Sequence, residues 1–114
     1  MSLTLYGIAN CDTVKKARTW LADKGRDFTF HDFRKDGLSQ DMVERWLVEA
    51  PMEKLLNKRG TSWRKLPDAD KANEDEAHLI ALMVENPTLI KRPVIEQGGR
   101  VTVGFTDDVK DVWG

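Results

Sequence analysis

The sequence predicts an α/β fold built on a small mixed sheet with helices on both faces. Three observations carry this reading. Two short alternating runs flank an amphipathic helix near the start, a largely helical and charged stretch fills the middle, and two further strands meet at a Gly-Gly turn before a last helix. Residues 3–8 alternate and hold β-branched and aromatic side chains, a first strand that breaks at Gly7, Ala9 and Asn10. From Asp12, the apolar residues Val14, Ala17 and Leu21 recur at helical spacing, and Gly25 is a natural stop. Residues 28–33 resume the two-residue alternation as a second strand.

Past the turn at Asp36-Gly37, Ser39 can cap a helix that turns Met42, Val43, Trp46 and Leu47 inward and ends before Pro51. A short helical piece is expected over residues 53–56, then a charged, turn-rich loop with fragmentary helix over residues 57–73. Residues 74–85 form the next helix, closed by Asn86-Pro87. Val94, Ile95 and Glu96 and then residues 100–105 make a hairpin about Gly98-Gly99, and residues 107–113 a last helix.

A chain of 114 residues fits one domain spanning its whole length. Its 18 basic and 19 acidic residues nearly cancel, so charge gives no reason to expect a nucleic-acid surface. The longest clearly apolar stretch, residues 79–84, is far short of the ~20 residues of a membrane helix, and the first residues do not read as a secretory signal, so a cytoplasmic location is expected. Nothing calls for an obligate assembly, and a monomer is the expectation. The only cysteine can form no disulfide within the chain. No metal site is expected either, since His31 and His78 lie far from Cys11 and from each other in sequence.

Chemistry is to be sought beyond the carboxyl end of the first strand, where open α/β sheets bind ligands. Cys11 stands there at a helix start, where unpaired N–H groups and the helix dipole favour thiolate over thiol. Thr13 and the cations Lys15 and Lys16 of the first turn add to this, and Asp12 opposes it. A free cysteine is often just a small buried hydrophobe. The polar neighbours Asn10, Asp12 and Thr13 favour the reactive reading, while Lys15 and Lys16 also read as a solvated helix face.

The run Leu5-Tyr6-Gly7-Ile8-Ala9-Asn10-Cys11-Asp12-Thr13-Val14-Lys15-Lys16-Ala17 resembles the active-site segment of the arsenate reductase (ArsC) family, in its YffB branch. The stretches Lys54-Leu55-Leu56-Asn57-Lys58-Arg59-Gly60 and Leu89-Ile90-Lys91-Arg92-Pro93-Val94, followed by Val103-Gly104-Phe105, agree in order and spacing. The resemblance implies a thioredoxin-like mixed sheet with flanking helices and a helical insertion. It also implies Cys11 as nucleophile, Arg92 as an anion-binding arginine and Pro93 as a cis-proline. By residue type alone, Arg92 also reads as a surface ion-pair partner.

Two positions depart from arsenate reductases, which surround the oxyanion with three arginines. Gly104 stands at the third, Asn57 falls on the second, and Arg59 lies two residues further on. An arsenate transition state needs dense positive charge, and one or two arginines supply little of it. The chain also resembles Spx, a redox-responsive regulator that binds RNA polymerase, but Val14 occupies the place of the second cysteine on which an Spx-type switch relies.

A lone nucleophile points to monothiol exchange on a small or protein disulfide, with no bound cofactor and an external thiol as resolver. Together with the resemblance it implies glutathione as co-substrate, and another small thiol would satisfy the same logic. In that mechanism Arg92 and Arg59 hold an anionic group, and Asn10, Asp12, Thr13, Lys15, Asn57 and Pro93 complete the substrate-binding set. The rival is a non-enzymatic interaction module anchored on Trp63 beside Arg64 and Lys65, against which Trp63 reads more simply as packed onto the helical layer.

Overall fold

A computed structural model describes residues 2–114. The chain runs β1 (Leu3–Gly7), α1 (Asp12–Asp23), β2 (Phe28–Asp32), α2 (Gln40–Glu49), α3 (Met52–Leu55), α4 (Thr61–Arg64), α5 (Asp68–Ala72) and α6 (Glu76–Glu85). A 3-10 turn (Pro87–Leu89), β3 (Val94–Gln97), β4 (Arg100–Val103) and α7 (Asp107–Trp113) complete it. Two compact units result, one formed by residues up to Gly37 with Arg92–Gly114, the other by the continuous run Leu38–Lys91 inserted between β2 and β3.

In the first unit the sheet order is β2-β1-β3-β4. β1 pairs with β2 in parallel, Leu3 opposite Phe28 and Gly7 opposite Asp32, so Gly7 closes the strand rather than breaking it. A parallel pair needs a crossover, which α1 supplies. β3 is antiparallel to both β1 and β4, which makes the sheet mixed. Both residues of the Gly98-Gly99 turn have positive φ, 56° and 83°, which is why glycines stand there.

The spacing of Val14, Ala17 and Leu21 buries one face of α1 against Leu3 and Leu5 of β1, Ile95 of β3, and Val109 and Trp113 of α7. α1 ends in a Schellman motif, with Arg26 N–H bonded to Leu21 O and Gly25 N–H to Ala22 O, both at 3.0 Å, and Gly25 at φ 71°. Arg26 then donates to the Trp113 carbonyl and, at 3.3 Å, to Gln97 Oε1, tying α7 to the hairpin.

In the second unit Ser39 Oγ accepts the Met42 N–H at 3.2 Å and caps α2. Val43 and Trp46 are fully buried, whereas Met42 and Leu47 are only half-buried. α2 packs on α6. That helix begins at Glu76 rather than residue 74, because Asn73 Oδ1 takes the Asp75 N–H at 3.0 Å and turns the chain just before it. The charged stretch before it holds the two short helices α4 and α5, and Trp63 is buried at 9% exposure, so it offers no exposed anchor. Residues 55–57 run beside residues 89–91, with Asn57 N–H bonded to Leu89 O at 2.7 Å and Lys91 N–H to Leu55 O at 2.8 Å.

Candidate functional site

Between β1 and α1, Ile8 is buried, Ala9 and Asn10 are exposed, and the half-buried Cys11 ends the turn. Cys11 is the N-cap of α1, with extended backbone (φ −132°, ψ 122°), and its carbonyl accepts the Lys15 N–H at 2.9 Å to open the helix. An N-cap side chain faces the second and third N–H groups of the helix, here Thr13 and Val14. The Cys11 side chain makes no capping hydrogen bond of ordinary geometry, yet the Val14 and Thr13 N–H groups lie close enough to favour negative charge on the sulfur.

Sheet register brings up the second component. Tyr6 lies opposite Val94, so the residues before Val94 run antiparallel alongside those after Tyr6, and Arg92 comes level with the loop that carries Cys11. The Arg92–Pro93 peptide bond is cis, Pro93 is buried, and its carbonyl accepts the Gly104 N–H at 2.9 Å. Partial burial alone would push the Cys11 thiol up. The Val14 N–H, the hydrogen bond and charge of Arg92, and the Thr13 N–H more than offset it, and the thiol ionises below its ordinary value.

The structure thus brings Cys11, the Thr13 backbone, Arg92 and Pro93 together in one unit. Asn10, Asp12 and Lys15 are exposed around the thiol, and the cation acting on it is Arg92 rather than Lys15 or Lys16, whose side chains lie on the solvated side of α1. Asn57 and Arg59 belong to the inserted unit. Asn57 Oδ1 accepts the Arg59 N–H at 3.1 Å, so this side chain shapes its own turn. Arg59 is exposed and lines an open cleft of about 710 Å³ with Met52, Leu56, Leu79 and Lys91. Gly104 has φ 85°, a conformation that L side chains rarely adopt, so no arginine stands there without backbone strain.

Among the described residues, no group of three or more His, Cys, Asp and Glu is placed to hold a metal ion. His31 Nε2 meets the Gly37 carbonyl at 2.7 Å, and His78 Nε2 lies 3.3 Å from Asp70 Oδ1. No helix of the described residues is long and apolar enough to cross a membrane.

Residue-type reasoning did not single out the close approach of Gly7 to the start of α1. A Cβ built on Gly7 would lie 2.7 Å from Val14 Cγ2, the sign of a close approach between strand end and helix start. A glycine within a strand pattern is the available signal for such an approach.

The sheet and the cysteine at the N-cap of α1 define a thioredoxin-like protein whose architecture suggests thiol oxidoreductase chemistry. Within that class, the chain belongs to the ArsC family, whose profile matches residues 6–111. An uncharacterized protein of Haemophilus influenzae is 44% identical over 105 residues, covering 92% of each chain. The global transcriptional regulator Spx of Streptococcus pyogenes is 32% identical over 108 residues, covering 93% of this chain and 80% of that one. Among solved structures, a protein described as YffB superposes with a TM-score of 0.92 at 46% identity, covering 97% of both chains. An arsenate reductase (ArsC) related protein from Brucella melitensis does so with a TM-score of 0.78 at 48% identity, covering 99% of this chain and 94% of that one.

Proposed function

We propose that the protein is a monomeric, glutathione-dependent thiol/disulfide oxidoreductase that works through Cys11 alone. The observation that carries this reading is a thiol held toward its thiolate by Arg92 and the first turn of α1, in a chain whose one cysteine leaves it no internal resolving partner. The Cys11 thiolate attacks the glutathione sulfur of a mixed disulfide, a bond forms between the two sulfurs, and the other thiol leaves as thiolate and takes a proton from solvent. A second glutathione thiolate then attacks the same glutathione sulfur, releasing oxidised glutathione and restoring the Cys11 thiolate. Arg92 serves this sequence by stabilising Cys11 both as attacking and as departing thiolate, and by offering its guanidinium to a glutathione carboxylate. In this reading arsenate is a poor substrate, because Gly104 replaces a cation.

The test is turnover of a small glutathione mixed disulfide with glutathione as reductant, followed through the oxidised glutathione formed. Cys11→Ser should abolish turnover, and undiminished turnover in that variant would sink the proposal. Likeness to Spx supports a second reading, a regulatory module that binds a protein partner without turnover. In that case partner capture survives Cys11→Ser, and the wild-type chain shows no glutathione-dependent turnover.

A further inference from the structure

We propose that Gly7 is a positioning residue for the thiol: its missing side chain lets Val14 seat the first turn of α1 against the end of β1, which aims the Thr13 and Val14 N–H groups at Cys11 Sγ. The inference rests on the thiolate reading of Cys11 and assigns one determinant of it to a residue that touches no substrate.

The strand side of this contact is fixed. Gly7 pairs with Asp32 in the sheet, and its carbonyl accepts the Phe33 N–H at 2.9 Å, so the strand end is held by β2 and its extension. The helix side is stiff. Val14 is fully buried, and a β-branched residue in a helix has essentially one χ1 rotamer. A Cβ on Gly7 would stand 2.7 Å from Val14 Cγ2, 3.3 Å from Cγ1 and 3.6 Å from Cβ. Real Cβ atoms essentially never show the first of these distances, so something must shift, and a buried β-branched side chain has little rotamer freedom with which to do so. Relief comes from moving residue 14, and its N–H, one of the two backbone groups that favour charge on the sulfur, moves with it. The charged groups about the thiol are Arg92 ahead of β3 and Asp12 and Lys15 on α1 itself, and a change at Gly7 removes none of them.

The experiment is the pH profile of Cys11 reaction with a small uncharged alkylating reagent, in the wild type, Gly7→Ala, Val14→Ala and the double variant. Gly7→Ala should raise the midpoint by about one pH unit, a tenfold loss of thiolate at pH values below both midpoints. Val14→Ala empties the seat and raises the midpoint less. In the double variant the nearest remaining contact is the 3.6 Å approach of the two Cβ atoms, an ordinary one, so the seat re-forms and the midpoint returns toward wild type. Leu21→Ala, in the same helix and equally buried, should lower stability and leave the midpoint unmoved.

A Gly7→Ala midpoint equal to wild type, or a Leu21→Ala midpoint that moves as far, overturns the inference. If Gly7→Ala does not fold, the comparison of Val14→Ala with the double variant decides: a double-variant midpoint no lower than that of Val14→Ala also overturns it. A wild-type midpoint at the ordinary thiol value refutes instead the thiolate reading itself.

Discussion

Replacing Arg92 by glutamine tests how the site tunes its sulfur, because the shorter neutral side chain removes a charge and a hydrogen bond that both act on Cys11. A cation beside an anionic group lowers its pKa, and Arg92 does so here through both its charge and its hydrogen bond. The midpoint rises, so thiolate at low pH falls about tenfold for every pH unit that the midpoint moves. The more basic thiolate is also the better nucleophile, with a Brønsted coefficient of about 0.4–0.5 for thiol–disulfide exchange.

These two effects combine with opposite signs in the two limits. For a midpoint raised by one pH unit, the variant should react about 3–4-fold more slowly below both midpoints and about 3-fold faster above both, so the two rate profiles cross. The assay is the second-order rate constant for reaction with a small uncharged disulfide from acid to alkaline pH, a probe that Arg92 neither attracts nor repels. An unchanged midpoint would refute the assignment of Arg92 as the cation on Cys11. A variant slower at every pH would show that Arg92 acts on something other than thiol ionisation.

Linkage gives a second expectation: because the folded-state pKa of Cys11 is depressed, its ionisation adds stability that is fully present above the unfolded thiol value and is lost as pH falls through the folded value. The stability difference between wild type and Cys11→Ser, from urea melts, should therefore grow with rising pH and level off above the unfolded value, and a flat difference would contradict a depressed pKa. Gly104→Ala and Gly104→Arg should each lose about 1–2 kcal/mol, because nothing lies within 4 Å of the new Cβ and the positive φ carries the whole cost. Thermal melts that show the arginine much worse than the alanine would point to a steric cause instead. Arg26→Met should cost about 2 kcal/mol by removing the charged hydrogen bonds to Trp113 O and Gln97 Oε1. Amide exchange in α7 should then accelerate more than in α2.

Much of the fold was legible because local rules and packing agree. The Val14, Ala17 and Leu21 stripe, the Ser39 cap and the Gly98-Gly99 turn each state a conformation that the tertiary structure then uses. Helix starts were less legible: α6 begins two residues late because a side-chain turn at Asn73 competes with the helix, a contest that periodicity does not register. Inward positions on α2 were overcounted for a related reason. Met42 and Leu47 lie at the margins of the apolar stripe, and only the packing of α6 determines how wide the buried stripe is.

For the site, the sequence by itself determined that one cysteine stands at a helix start with no second thiol to resolve it, since both facts depend only on residue order and local backbone preference. Which cation acts on that cysteine was decided by tertiary structure. Lys15 and Lys16 are close in sequence, but the turn of α1 carries them to solvent, whereas the antiparallel pairing of β3 with β1 delivers Arg92 from 81 residues away. The contact of Gly7 with Val14 likewise exists only once strand and helix pack. Sheet register and close packing are long-range quantities, set by the whole core and not by the residues on either side of the sulfur.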